Sequence, residues 1–113
     1  MAAIKSYTSL EQSKKLAEIL PPDSCDMWWR EVSYGFYHIE AEIPKGWYDM
    51  PPKGITCWSL AALLDYLSAN FHIDIKYLDN QWELDCRVQV SYARELVDAC
   101  VELIIKLNKQ KLL

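Results

Sequence analysis

The sequence predicts one α+β domain over residues 1–113: a two-layer sandwich in which an antiparallel sheet of about four strands is covered on one face by three helices, in the order αββαββα. Three observations lead there. Three runs alternate apolar and polar residues with period two, three stretches carry apolar residues at helical spacing, and a Pro/Gly-rich segment and turn signals separate them. The chain has 113 residues, 51% hydrophobic and 25% charged, the proportions of a single globular domain. At that size folding removes roughly two-thirds of the unfolded surface from water, enough for stability without covalent staples.

The first helix is expected over residues 9–20. Thr8-Ser9-Leu10-Glu11 reads as a capping box, with Thr8 as the cap and Glu11 reaching back. Leu10, Leu16, Ala17 and Leu20 share one face, and Pro21-Pro22 ends the helix. Phe36 to Ile43 alternates: Tyr37, Ile39, Ala41 and Ile43 on one side, Phe36, His38, Glu40 and Glu42 on the other. Met27 to Val32 supplies a partner strand through a turn at Ser33-Tyr34-Gly35. Residues 44–54, PKGWYDMPPKG, hold two of the three glycines and three of the five prolines, which marks a loop.

The second helix is capped by Thr56 or Ser59, with Leu60, Leu63, Leu64 and Leu67 as its stripe and Trp58 stapled to Leu63. Around Asp79-Asn80, two alternating runs make a hairpin. Pairing outward sets Tyr77 against Trp82, Ile75 against Leu84 and Ile73 against Cys86, all on one face. A slip of one residue destroys that agreement. The third helix runs over residues 92–109, capped by Ser91, with Ala93, Leu96, Val97, Cys100, Val101, Ile104 and Leu107 facing inward. Arg94–Asp98 and Glu102–Lys106 are its solvent-side pairs. The expected core joins Tyr37, Ile39, Ile73, Ile75, Tyr77, Trp82, Leu84 and Val88 to the stripes of the second and third helices.

Charge and cysteine usage narrow the function classes. Twelve Lys and Arg against 16 Asp and Glu give a formal charge of -4, and the cations are scattered rather than gathered into a phosphate-binding face, so nucleic acid is not an expected partner. No apolar run reaches the roughly 18–20 residues of a membrane span, and the N-terminus lacks a secretory apolar stretch. Cys25, Cys57, Cys86 and Cys100 contain no Cys-x-x-Cys pair, which fits reduced thiols in a cytoplasmic setting.

Catalytic constellations are weak. On the other face of the Asp79-Asn80 hairpin, His72 opposes Arg87, Asp74 opposes Asp85 and Lys76 opposes Glu83. Lys76 and Arg87 neutralise the opposed carboxylates from the diagonal, so a solvated charged face is expected rather than an acid–base dyad. His38, His72, Glu40, Asp74 and Cys86 lack metal-ligand spacing. Cys57 lies near a helix start, where thiolates are favoured, yet cysteine's burial tendency makes it an expected core residue. No Gly-x-Ser-x-Gly elbow or phosphate-cradling glycine loop occurs. No catalytic residue, metal or cofactor is therefore expected.

The aromatics are the least ordinary feature, with five Trp and seven Tyr. Trp47, Tyr48 and Met50 stand in the Pro/Gly segment, flanked by Lys45 and Lys53. A rigid loop carrying such side chains suits a recognition hot spot, and equally a lid folded back on the core edge. Three blocks, Thr8 to Met27, Cys57 to Leu64 and Val97 to Ile104, together resemble a group of short proteins encoded by gut anaerobes and their phages or mobile elements. That resemblance covers under half of the chain. It implies a cytosolic setting and a mobile-genetic origin, and it brings no assigned activity or catalytic residues. Residues 44–54 depart from the group, so it implies nothing about Trp47. The expected function is a non-enzymatic protein–protein interaction module, binding another protein or itself as a homodimer, through the Trp47 loop or a free sheet edge. The alternative is a binder of a nucleotide-like small ligand, stacked on the aromatics beside Lys45 and Lys53.

Overall fold

A computed structural model describes residues 4–40 and 54–113. Helix α1 spans Leu10–Ala17. Its capping box is real but sits one residue later than expected. Ser9 is the cap: its Oγ accepts from the Gln12 N–H at 3.2 Å, and Gln12 Oε1 accepts from the Ser9 N–H at 3.0 Å. Thr8 is unavailable because it is fully buried, its hydroxyl accepting from the Trp58 N–H at 3.2 Å and lying 2.7 Å from Ser13 Oγ. The helix stops at Ala17, before the expected residue 20, and a single 3-10 turn over Pro22–Ser24 follows. Leu16 and Leu20 enter the core; Ala17 faces solvent.

Strand β1 (Met27–Ser33) pairs antiparallel with β2 (Phe36–Glu40) and with β3 (Gly54–Cys57). The order β2-β1-β3 makes a three-stranded sheet. Opposed residues share a face, so Trp29, Ile39 and Ile55 lie on one side, and Trp28, Glu40 and Thr56 on the other. Trp29 turns toward α1, where its Nε1 donates to Ser13 Oγ at 3.2 Å. Trp28 occupies the opposite face and lies against Gly54, where an added Cβ would come within 2.5 Å of the indole. Thr56 belongs to β3 and caps nothing, since its β-branched neighbour Ile55 and the pairing with β1 hold it extended. Tyr37 and Ile39, expected in the core, are only half-buried, and Ala41, Glu42 and Ile43 lie outside the described residues.

Helix α2 (Leu60–Asn70) starts at Ser59, whose Oγ accepts from the Ala62 N–H at 3.1 Å. Asp26 grips the same serine, accepting from its N–H at 2.8 Å and from its hydroxyl. The segment before α1 runs beside this junction: Thr8 N–H donates to Trp58 O at 3.0 Å and Leu60 N–H to Ser6 O at 2.9 Å.

Beyond α2 comes a second three-stranded antiparallel sheet, β4 (Asp74–Leu78), β5 (Gln81–Asp85) and β6 (Val90–Ala93), in the order β4-β5-β6. Asp79 and Asn80 take φ values of 55° and 63°, as a two-residue type I′ turn demands. Tyr77 opposes Trp82, Ile75 opposes Leu84, Lys76 opposes Glu83 and Asp74 opposes Asp85, as the alternation predicts. The ladder ends there. Arg87 is left-handed at φ 76°, its N–H donating to Asp85 Oδ1 at 2.7 Å. The chain turns back instead of pairing Ile73 with Cys86 or His72 with Arg87, and Val88 is left exposed.

Strand β6 replaces the expected start of the last helix. Ser91 caps nothing: it is buried in β6 and donates its hydroxyl to Ala99 O at 2.6 Å. Helix α3 spans Leu96–Lys109 from Glu95. Asp98 pairs with Lys5 at 2.6 Å rather than with Arg94, while Glu102–Lys106 forms at 3.6 Å.

The single four-stranded sheet is thus corrected to two sheets of three, and the order to αβββαβββα. Both extra strands are four residues long. The fold class, α+β with three helices, stands. The main core gathers around α3, whose Val97, Cys100, Ile104 and Leu107 meet Leu16, Trp58, Leu63, Leu67 and Leu84.

Candidate functional site

Helix α3 runs over β5 and β6 and against α2. Its cover stops short of β4, where all five residues are exposed. Alternation still puts Ile75 and Tyr77 on the face that holds fully buried Leu84. Ile75 is nonetheless 42% exposed and Tyr77 56%. Their assignment to the core is corrected: they sit on the core-side face of the sheet but past the rim of its helical cover. Trp82, half-buried, marks that rim, its ring 4.9 Å from the Tyr77 ring and tilted by 52°.

The backbone of β4 is open as well. It pairs with β5 alone among the described strands. In a two-residue hairpin the pair flanking the turn, Leu78 and Gln81, exchanges main-chain hydrogen bonds, and bonded and non-bonded pairs then alternate. Lys76 and Asp74 therefore spend their peptide groups on β5, while those of Ile75 and Tyr77 point away from it. The opposite edge of this sheet is blunted, because Lys106 Nζ on α3 donates to Val90 O at 2.9 Å.

On the other face of the hairpin the charges form rows. Asp74 faces Asp85, and Lys76 faces Glu83. His72 Nε2 lies 3.3 Å from Asp74 Oδ1. Glu83 beside Tyr92 pushes that phenol above its ordinary value, with burial and Asp85 adding in the same direction, so the face is locally negative.

Nucleophilic chemistry finds no poised group among the described residues. All four thiols are free and buried. Burial pushes Cys57 above the ordinary thiol value despite opposing hydrogen bonds from Thr8 and Ser13. It pushes Cys100 up to about 12. Both thiols are protonated at neutral pH. His38 and Glu40 lie on β2, Asp74 on β4 and His72 just before it, and no group of three His, Cys, Asp or Glu among the described residues is arranged to hold a metal ion. Among the described residues the concavities include two shallow grooves. One of about 370 Å³ separates α1 from α3 between Gln12, Lys15, Asp98 and Ile105. Another of about 340 Å³ lies over Ile4, Tyr7 and Trp29. Charges of both signs line the first, so it selects neither anion nor cation.

The residues singled out in sequence, Lys45, Trp47, Tyr48, Met50 and Lys53, lie outside the described residues. The structure instead draws attention to Ile75, Tyr77 and the β4 edge. Alternation assigns their face correctly, and the extent of the cover over that face is set by packing, not by alternation. No helix among the described residues is long and apolar enough to cross a membrane. Comparison with known proteins finds no matching protein family, and no match among curated proteins or solved structures.

Proposed function

We propose that the chain is a small cytoplasmic protein–protein interaction module that acts by binding rather than by catalysis, and that its binding element is the β4 edge. One observation carries this reading: an edge strand with outward peptide groups whose two apolar side chains, Ile75 and Tyr77, are 42% and 56% exposed. Proteins blunt such edges or use them, because an open row of N–H and C=O groups templates another strand. The two charges on β4, Asp74 and Lys76, are of opposite sign, so a strand of complementary charge can neutralise both. The protonated, buried thiols and solvent-facing carboxylates support a binding role over a chemical one. The resemblance to proteins of phages and mobile elements favours a bacterial cytosol as the setting.

Native mass spectrometry of gently purified protein tests the reading, comparing wild type with Ile75→Lys. Protein assemblies that hold in wild type and fall apart in the folded variant are the expected result. Assemblies indifferent to Ile75→Lys overturn the assignment to β4. A small mass retained natively and released on denaturation, with no protein partner, favours instead the nucleotide-like ligand.

A further inference from the structure

Resting on that reading, we infer that the partner at the β4 edge is a second copy of the chain, paired antiparallel about a twofold axis at Ile75 to give one continuous six-stranded sheet. The register follows from parity, bonding and charge. A twofold normal to the sheet keeps each face on its own side, so a residue can oppose only positions of its own alternation class. Among the described residues the open peptide groups of β4 are those of Ile75 and Tyr77, so the new hydrogen-bonded pairs come from those positions, with the ladder extended one residue before β4 to Ile73. Centring on Ile75 meets both conditions: Ile75 opposes Ile75, Ile73 opposes Tyr77, and about six main-chain hydrogen bonds close the joint. The half-exposed apolar side chains of the two copies then shield one another.

Charge selects this register over its neighbour. With Ile75 on the axis, Asp74 of each copy faces Lys76 of the other, two opposite-sign pairs on the outer face. With the axis moved to Lys76, the lysines face each other and Asp74 of each copy faces Leu78, which leaves two charges unpaired and opposes two others. The favoured register also relieves a conflict within each chain. Asp74 opposes Asp85 in the hairpin, and across the joint Lys76 of the second copy takes the other side of Asp74. The row becomes Asp85, Asp74, Lys76, Glu83, with a cation between the acids of the two copies.

Charge exchange tests it without truncation. Asp74→Lys alone gives chains with lysine at both positions, and Lys76→Asp alone gives chains with aspartate at both. Neither should pair with itself, but a mixture of the two should form a heterodimer with both outer pairs restored. Sedimentation or light scattering across the micromolar range should find wild type moving toward twice the 13.2 kDa chain mass. Each single variant should weaken its own dimer by at least about tenfold, and the mixture should return to within a few-fold of wild type. Recovery in the mixture also certifies that both variants fold. A wild type that stays monomeric, or single variants that dimerise undiminished, overturns the inference. The wider reading fails separately, through Ile75→Lys leaving every assembly intact.

Discussion

The hairpins β1–β2 and β4–β5 are built alike and buried differently. Each is antiparallel with a short turn and alternating faces. In the first, the ladder is offset between Glu31 and Ser33, and the left-handed position at its tip belongs to Gly35, at φ 79°. In the second, register is continuous and both turn residues are left-handed. The second is therefore the more regular ribbon, yet it carries the more exposed strand. Regular pairing fixes which side chains share a face, whereas burial depends on what lies above that face, and α3 ends its cover between β5 and β4. The lesson is sharpest at one opposed pair: Leu84 is 0% exposed and Ile75 42%.

That pair gives the largest expected effect. Leu84→Ala should cost about 2–5 kcal/mol of unfolding free energy, as a large-to-small change in a packed core does. Ile75→Ala should cost under about 1 kcal/mol, since much of its side chain already meets water. Urea unfolding at low protein concentration, where self-association contributes little, compares the two. Equal losses would mean that β4 is covered as well as β5, and the candidate surface would be lost with the difference.

The buried side of the comparison also has a pH signature. Cys100 packs in the same core as Leu84, and its thiol is pushed up to about 12 from an ordinary value of 9.0. The raised native value means that the folded chain keeps a proton that the unfolded chain releases. Stability is therefore fully present below about pH 9 and falls as pH rises toward about 12, by up to roughly 1.4 kcal/mol per pH unit. Cys57 is shifted the same way, so it steepens the loss. Unfolding free energies from urea titrations at pH 8 and pH 10.5 should differ by about 2 kcal/mol through Cys100 alone. Cys100→Ala should flatten that slope while lowering neutral stability by about 1–2 kcal/mol. An unchanged slope would show that the thiol is solvated in the native state.

The same contrast explains what could be read from the sequence. The Asp79-Asn80 register, the Ser59 cap and the α3 stripe from Val97 to Leu107 were legible because each is set by neighbours in the chain. Strands β3 and β6 were not. Gly54 follows a proline-rich run and so reads as loop, although the close approach of Trp28 is a strand contact that only a glycine admits. Val90 to Ala93 continues smoothly into a helical stripe through Leu96, and only the turn at Arg87 and the bond from Ser91 to Ala99 O reveal it as a strand. The exposure of Ile75 and Tyr77 was illegible for a related reason. Period two identifies a face, but the reach of a helix over that face is decided by residues far away in sequence.

The smallest effects lie in the two turns, where backbone preference can be separated from packing. A Cβ at Gly35 would meet nothing within 4 Å, so Gly35→Ala tests the left-handed backbone alone and should cost about 1 kcal/mol. Asn80 also holds a left-handed angle, at φ 63°, but asparagine tolerates that region and glycine loses more entropy on folding. Asn80→Gly should thus stay within about 0.5 kcal/mol of wild type. Thermal unfolding of both variants beside wild type reads the difference. A neutral Gly35→Ala would show that the offset at Glu31/Ser33 lets the first turn re-form without a left-handed residue. A costly Asn80→Gly would instead assign the Asn80 side chain a hydrogen-bonding role that the second turn does not need for its backbone, making the more regular hairpin the more exacting one.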